Sequence, residues 1–242
     1  MISRWRSSRA RRRGWLQLLG SIELTVVLPA FERIGHGGAS ALAPANTLAS
    51  FDAANEVGVD VVEFDVRACH GELVLAHTVL HARRGANLRL HDALAYLSRP
   101  RFAELGLNVD LKHSGCEQPL LDGLRNAGLL DRTLISSQVT AVLDRVRALE
   151  PRARVGISVG GRAARFSRRW NDWREQVLAG LESRRWDALM AQHRLVDRGL
   201  LDAVVDRRGL LYAWTVNERP VIDRLRALGV HGVATADPRL FA

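Results

Sequence analysis

The sequence predicts an α/β fold, specifically a (β/α)8 TIM barrel, and three observations predict it. Strand-like and helix-like runs alternate with short connections, which calls for a parallel sheet covered by helices. The strand-like runs of that alternation number eight, the number that closes a barrel. The chain has 242 residues and is 47% hydrophobic, close to the size of about 250 residues usual for one such domain with a single core.

The elements follow in order. The first strand is expected at Arg33–His36, stopped by two glycines, and the second at Asp60–Val66, the run DVVEFDV. LVLAH, ending at His77, is an extra apolar run that brings this histidine back over the barrel mouth. Further strands are expected at Leu107–Lys112, Thr133–Ser137, Arg154–Val159, Asp187–Gln192, Leu211–Val216 and Gly232–Thr235. Between them, Asn46 is placed to cap the helix TLASFDAANEV, which Gly58 ends. LHDALAYL is a helix, VTAVLDRVRAL is one that stops before Pro151, and RPVIDRLRAL stops before Gly229, with Asn217 expected as its cap. SRRWNDWREQVLAGLESRRW is expected to pack Trp170, Trp173 and Val177 on the barrel and turn its arginines to solvent. A lipid-headgroup surface is the other reading of that helix. No period of 20–50 residues and no low-complexity linker divides the chain.

Chemistry enters with VVEFDV. Side chains alternate along a strand, so Glu63 and Asp65 share one face while Val62, Phe64 and Val66 share the other. Two carboxylates on an apolar strand repel each other and lose solvation, costs that a bound cation relieves. Oxygen ligands suit a hard divalent ion, Mg2+ or Ca2+. LNVDLK repeats the pattern with Asp110 and Lys112, the only lysine in the chain. Glu63, Asp65 and Asp110 together would offer three negative charges to one ion, and Lys112 a point charge to a phosphate oxygen. His36 and His77, each at the end of an apolar run, are the candidate proton-transfer groups. A salt bridge from Lys112 to a neighbouring acid, or histidines held only by structural hydrogen bonds, are the plainer readings of the same residues.

Composition narrows the partners. Thirty-five basic against 26 acidic residues give a net charge of +9. Six of those charges (Arg4, Arg6, Arg9, Arg11, Arg12 and Arg13) fall in the first 13 residues, which contain no acid, leaving +3 for the remainder. The high charge therefore does not point to nucleic-acid binding by the domain. It marks a basic N-terminal extension, residues 1–32, ahead of a barrel over 33–242, with peripheral contact to an anionic membrane open to the arginine arm. Gly14 to Phe31 is largely apolar but interrupted by Glu23, which disfavours a transmembrane span. A cytoplasmic, membrane-associated protein is the expectation. Cys69 and Cys116 are expected as free thiols.

The ordered series His36-Gly37-Gly38, Pro44-Ala45-Asn46-Thr47, Glu63-x-Asp65, His77 and Asp110-x-Lys112 resembles the glycerophosphodiester phosphodiesterase family. The likeness continues through ISSQVTAVLDRVRALEP, LLYAWTVN and GVHGVATADP, from about Ile34 to Pro238. The resemblance implies a metal-dependent hydrolase of glycerophosphodiesters, with His36 and His77 as the acid–base pair and Trp214 lining the site for the alcohol. Four positions depart from the family pattern. Gly37 stands where the family has Arg, Ala45 where it has Glu, Thr78 where it has Asp, and Asp110 where the third ligand is usually Glu. The short stretch after His77 suggests an open mouth that admits lysophospholipids, as in the related sphingomyelinase-D-like enzymes. The alternatives are an inactive barrel that binds a phosphate- or lipid-containing ligand, and an aldolase-type barrel with Lys112 as a Schiff-base lysine.

Overall fold

The structure, a computed structural model, describes residues 31–160 and 169–242, and the side chains of these except 169–172. The basic arm and nearly all of the Gly14–Phe31 run lie outside the described residues, as does the side chain of Trp170.

Nine strands form one sheet. They are β1 (Glu32–Gly35), β2 (Val61–Cys69), β3 (Glu72–Leu75), β4 (Gly106–Leu111), β5 (Thr133–Ser137), β6 (Arg154–Val159), β7 (Ala188–Gln192), β8 (Leu210–Trp214) and β9 (Gly232–Thr235). The order β1-β9-β8-β7-β6-β5-β4-β2 is parallel throughout, and β1 also pairs with β2, which closes an eight-stranded barrel. The expected TIM barrel is therefore present. The ninth strand, β3, is antiparallel to the upper half of β2. It is the LVLAH excursion, a hairpin raised above the barrel, and its partner β2 runs three residues beyond the expected end at Val66.

Among the described residues eight helices accompany the strands: α1 (Leu48–Val57), α2 (Val79–Arg84), α3 (Leu90–Leu97), α4 (Glu117–Asn126), α5 (Thr140–Leu149), α6 (Arg169–Glu182), α7 (Arg198–Asp206) and α8 (Arg219–Leu228). The first of these corrects one expectation. The cap of α1 is Thr47, whose hydroxyl accepts from Ser50 N while the Ser50 hydroxyl accepts from Thr47 N. Asn46 is elsewhere engaged. The cap of α8 is Glu218, not Asn217, whose Oδ1 accepts from Ala236 N (3.0 Å) and ties the β8–α8 connection to β9. A third correction concerns α6. Val177 is buried as expected, but Trp173 is 37% exposed.

The alternation read from VVEFDV sets the packing. Phe64 points outward into the layer between sheet and helices, where its ring lies 5.5 Å from that of Phe51 on α1. Burying each such ring stabilises the fold by roughly 1.5–3 kcal/mol. Inside the barrel, Ile34, Leu134, Ala188, Met190, Tyr212 and Ala234 fill the lower layers. The polar residues of β2 and β4 are thereby confined to the upper, C-terminal end.

His231, just before β9, is one of the joints of the closure. Its Nδ1 accepts from Leu211 N (2.9 Å), its own N–H donates to Leu211 O, and its carbonyl accepts from Glu32 N. Burial lowers its pKa, and a proton on Nδ1 would break the bond from Leu211 N–H. The unfolded chain takes up this proton near pH 6.5, so the group's contribution is complete above about that pH and is lost as the pH falls towards the folded value. Stability in urea should therefore drop as the pH falls below about 6.5, by up to about 1.4 kcal/mol per pH unit from this group. His231→Asn should show a shallower pH slope than wild type, whatever its stability at neutral pH.

Candidate active site

The site is built by strand register. Asp65 on β2 lies beside Asp110 on β4, and Glu63 beside Asn108, so all four side chains face the barrel interior near its upper end. Ligand oxygens of Glu63, Asp65 and Asp110 lie within 4.8 Å of one another. Lys112, one residue beyond β4, reaches back so that its Nζ contacts Asp65 Oδ1 (2.6 Å) and an oxygen of Asp110. Burial opposes the charge on Lys112, but Asp110 and Asp65 outweigh it and raise its pKa. Nζ is committed to two carboxylates, the geometry of an ion-pair partner rather than of the free amine that a Schiff base requires.

Asp65 is the most heavily bonded member. Its carboxylate accepts from Lys112, from His77 Nδ1 (3.2 Å) and from Asn46 Nδ2 (2.9 Å). Burial alone would raise its pKa, but the His77 hydrogen bond, the Lys112 charge and the Lys112 and Asn46 hydrogen bonds together hold it below the ordinary range. Glu63 is in the opposite condition. Burial and the charges of Asp65 and Asp110 push its pKa well up, against Lys112 and the Gly37 N–H, which donates to Glu63 Oε2 at 2.7 Å. Burial likewise raises Asp110, and its Oδ1 is buried with no hydrogen-bond partner.

These observations test the acidic cluster against a divalent cation, and the residues fit one. Three carboxylates against one ammonium leave two negative charges uncompensated. Without a cation, burial and the neighbouring carboxylates disfavour the charge on Glu63; a divalent ion would relieve that penalty. The orphaned Asp110 Oδ1 is an acceptor with no other function in the fold.

The histidines flank the cluster. His36 follows β1, with its Nε2 3.9 Å from Glu63 Oε2. Burial lowers its pKa, opposed by Asp65 and reinforced by Lys112 and His77. His77 is 60% exposed at the rim, oriented by Asp65 through Nδ1 and by Arg67, which donates to the His77 carbonyl (3.0 Å). Thr78, in the place of the family's Asp, caps α2 by accepting from His81 N. A cavity of about 60 Å3 between the histidines is lined by Glu63, Asn108, Asp110, Lys112 and Trp214, among others. Trp214 thus lines the site, and its Nε1 donates to Met190 O (2.8 Å). Every residue expected at the site is gathered here. A larger cavity, about 980 Å3, opens at the other end of the barrel. Several of its charges are committed to structural bonds, such as Arg33 with Asp60 and Arg132 with main-chain carbonyls.

Sequence reasoning missed Asn46 and Gly37 as parts of this site. Asn46 both donates to Asp65 and accepts from the Asp65 N–H (3.0 Å), with φ at 62°. Its signal was present in the Pro-x-Asn-Thr series but was taken for a cap. Gly37 (φ 59°) and Gly38 (φ 81°) both adopt left-handed backbone, which glycine tolerates. A Cβ on Gly38 would meet the Ser50 side chain at 2.4 Å.

Comparison with known proteins agrees with this geometry. The sequence matches the glycerophosphoryl diester phosphodiesterase family over residues 36–80 and 110–240, which include all of the site residues above except Asn108. YhdW of Bacillus subtilis (strain 168), which carries a glycerophosphodiester phosphodiesterase name, is 24% identical over 237 residues, covering 85% of this chain and 94% of its own. A phosphodiesterase from Oleispira antarctica, solved with the product sn-glycerol-3-phosphate, is similar in structure with a TM-score of 0.69 at 22% identity. That alignment covers 88% of this chain and 94% of the other. A glycerophosphodiester phosphodiesterase from Parabacteroides distasonis ATCC 8503 gives a TM-score of 0.69 at 18% identity, covering 86% and 93%. At such identities these structures share the barrel fold.

Asn46→Ala should lower kcat/KM by about 10–100-fold, the usual penalty for removing the partner that orients a metal-site carboxylate. Circular dichroism should show the barrel intact. Activity equal to wild type would leave Asn46 a purely structural loop residue.

Proposed function

The chain belongs to the glycerophosphoryl diester phosphodiesterase family, whose members are phosphoric diester hydrolases, and from that premise we propose how its residues divide the reaction. The observation that carries the proposal is the convergence of Glu63, Asp65 and Asp110 within 4.8 Å beside two histidines. Glu63, Asp65 and Asp110 would hold a divalent ion, Mg2+ or Ca2+. Bound there, the ion supplies a Lewis acid for a phosphate oxygen and for charge building on phosphorus.

The protein's own side chains do the rest. Lys112, held protonated, faces a second phosphate oxygen while keeping Asp65 and Asp110 together. His36, kept neutral by burial, accepts the proton of the attacking hydroxyl, either water or the neighbouring hydroxyl of the glycerol moiety. His77 delivers a proton to the departing alkoxide, and Asp65, in contact with Nδ1, orients the ring. One P–O bond forms and one breaks, and the proton taken by one imidazole is matched by that given by the other. Trp214 packs against the alcohol portion. The products are an alcohol and a glycerol phosphate, which the product complex of the Oleispira relative supports.

The substrate class we propose includes lysophospholipids beside glycerophosphodiesters. Only α2 and a short connection follow His77 before α3, and the rim there is open, with His77 60% exposed. The basic residues 1–32 remain an extension of the 33–242 barrel, with their arginines available to an anionic membrane and the protein in the cytoplasm.

Turnover of glycerophosphocholine should disappear in chelator and return with Mg2+ or Ca2+; a barrel that only binds its ligand would show no turnover with either ion. His36→Ala and His77→Ala should each lower kcat by about 10²–10⁴-fold with an unchanged melting temperature. Wild-type rates in both would discard the proton-transfer assignment. Hydrolysis of glycerophosphocholine far faster than of lysophosphatidylcholine would remove the lysophospholipid part alone.

A further inference from the structure

Six large apolar side chains are exposed among the described residues: Leu42, Val79, Leu80, Val139, Trp173 and Val205. Single exposed apolar residues are ordinary, and a scatter over both ends of the barrel would need no explanation. These are not scattered. Leu42 lies between β1 and α1, Val79 and Leu80 open α2 above the β2–β3 hairpin, Val139 directly precedes α5, and Trp173 is in the second turn of α6. All five therefore stand on segments leaving the C-terminal ends of strands, around the mouth that holds His36 and His77. Only Val205, in the last turn of α7, is at the other end.

Of these five, Val79 and Leu80 project furthest, at 50% and 54% exposure. Their helix is fixed rather than loose. Ala82 is buried against Val74 and Ala76, Cys69 Sγ donates to Ala82 O, and the Thr78 hydroxyl caps the first turn. The same helix ends in exposed Arg83 and Arg84, and no acidic residue occurs between Glu72 and Asp92. Arg89 is paired with Glu72, whereas Arg83 and Arg84 have no acidic partner among the described residues. A short rigid element with an apolar tip and unpaired cations beside it matches a surface of anionic headgroups over acyl chains. A protein partner would be met by one continuous apolar face, whereas here separate loops project around a concavity.

We propose that the mouth of the barrel docks on an anionic phospholipid bilayer, with Val79, Leu80, Leu42 and Val139 entering the interface and Arg83 and Arg84 on headgroup phosphates. A lysophospholipid can then pass from the bilayer to the site without crossing water. The inference deepens the substrate class proposed above and rests on it. It adds a membrane contact at the catalytic face to the one proposed for the N-terminal arm.

The test uses the full chain, vesicles of phosphatidylcholine with and without phosphatidylglycerol, and glycerophosphocholine as a soluble substrate. The variant is V79D/L80D, and acids in the first turn of a helix leave α2 favourable. Wild type should sediment with phosphatidylglycerol vesicles. V79D/L80D should bind them about tenfold or more weakly, the loss expected for withdrawing two apolar side chains from an interface. It should lose hydrolysis of vesicle-borne lysophosphatidylcholine in parallel and keep glycerophosphocholine turnover within about twofold. Arg83→Ala with Arg84→Ala should abolish the preference for phosphatidylglycerol. Equal vesicle binding by V79D/L80D and wild type would overturn the proposal, as would a dimer of wild type that the variant cannot form. Binding that depends on Val79 and Leu80 in a protein inert towards every phosphodiester would uphold the docking face and discard the hydrolase reading.

Discussion

Three carboxylates and one ammonium share the inward face of two neighbouring strands, and much of the upper barrel is arranged around that concentration of charge. Parallel register between β2 and β4 forces it, because Asp65 and Asp110 are paired residues in adjacent strands. Repulsion between them would open the sheet at this point were Lys112 not inserted between the two. Lys112 neutralises one charge. Asn46, Gly37 and His77 then supply donors to the carboxylates that remain. Two charges and one orphaned oxygen are left over, and that imbalance is what suits the cluster to a cation.

The two ends of the barrel show why charge imbalance, rather than empty volume, marks the site. The lower cavity is many times larger and lined with charged side chains, but several of these are paired, as Arg33 is with Asp60, and they are of both signs. The upper cavity is small, yet it contains a glutamate with its pKa pushed up and a lysine with its pKa pushed up, each for the opposite reason. Groups displaced in this way are able to bind, give or take charge when a ligand arrives.

The barrel was legible in the sequence because most of the strands are apolar runs, and on β2 and β4 their polar interruptions have period two. The site residues were legible for the same reason: Glu63, Asp65, Asp110 and Lys112 are those interruptions. What was not legible were the roles of residues between elements. Asn46 and Asn217 both precede helices, and an asparagine there reads as a cap. In the fold, Thr47 takes the first cap because Asn46 adopts left-handed backbone and turns its amide to Asp65. Asn217 turns to the Ala236 N–H instead, a contact 19 residues away that no local pattern encodes. Trp173 was misread on similar grounds. An indole at helical spacing suggests a buried stripe, but only Val177 of that pair reaches the core. Cys69 and Cys116 are free thiols as expected, with Cys116 buried and Cys69 bonded to α2.

The departures from the family pattern at Gly37 and Ala45 acquire a physical reading once the two are seen together. A Cβ on Gly37 would lie 3.0 Å from the Cβ of Ala45, so the positions face each other across the loop that follows β1. Where the family pattern has arginine and glutamate, this chain has two residues without charge. Removing opposite charges from adjacent positions leaves the net charge of the mouth unchanged, and with it the balance that the acidic cluster requires. The Gly37 N–H still reaches Glu63, so the hydrogen bond that fixes this carboxylate comes from the backbone and survives the exchange. What changes is room and polarity: with Gly37 and Ala45 facing each other, the loop after β1 carries neither of the two charged side chains of the family pattern. In the proposed reaction a phosphate would then lack a guanidinium at the rim and would rest more on Lys112 and the cation at the floor of the site.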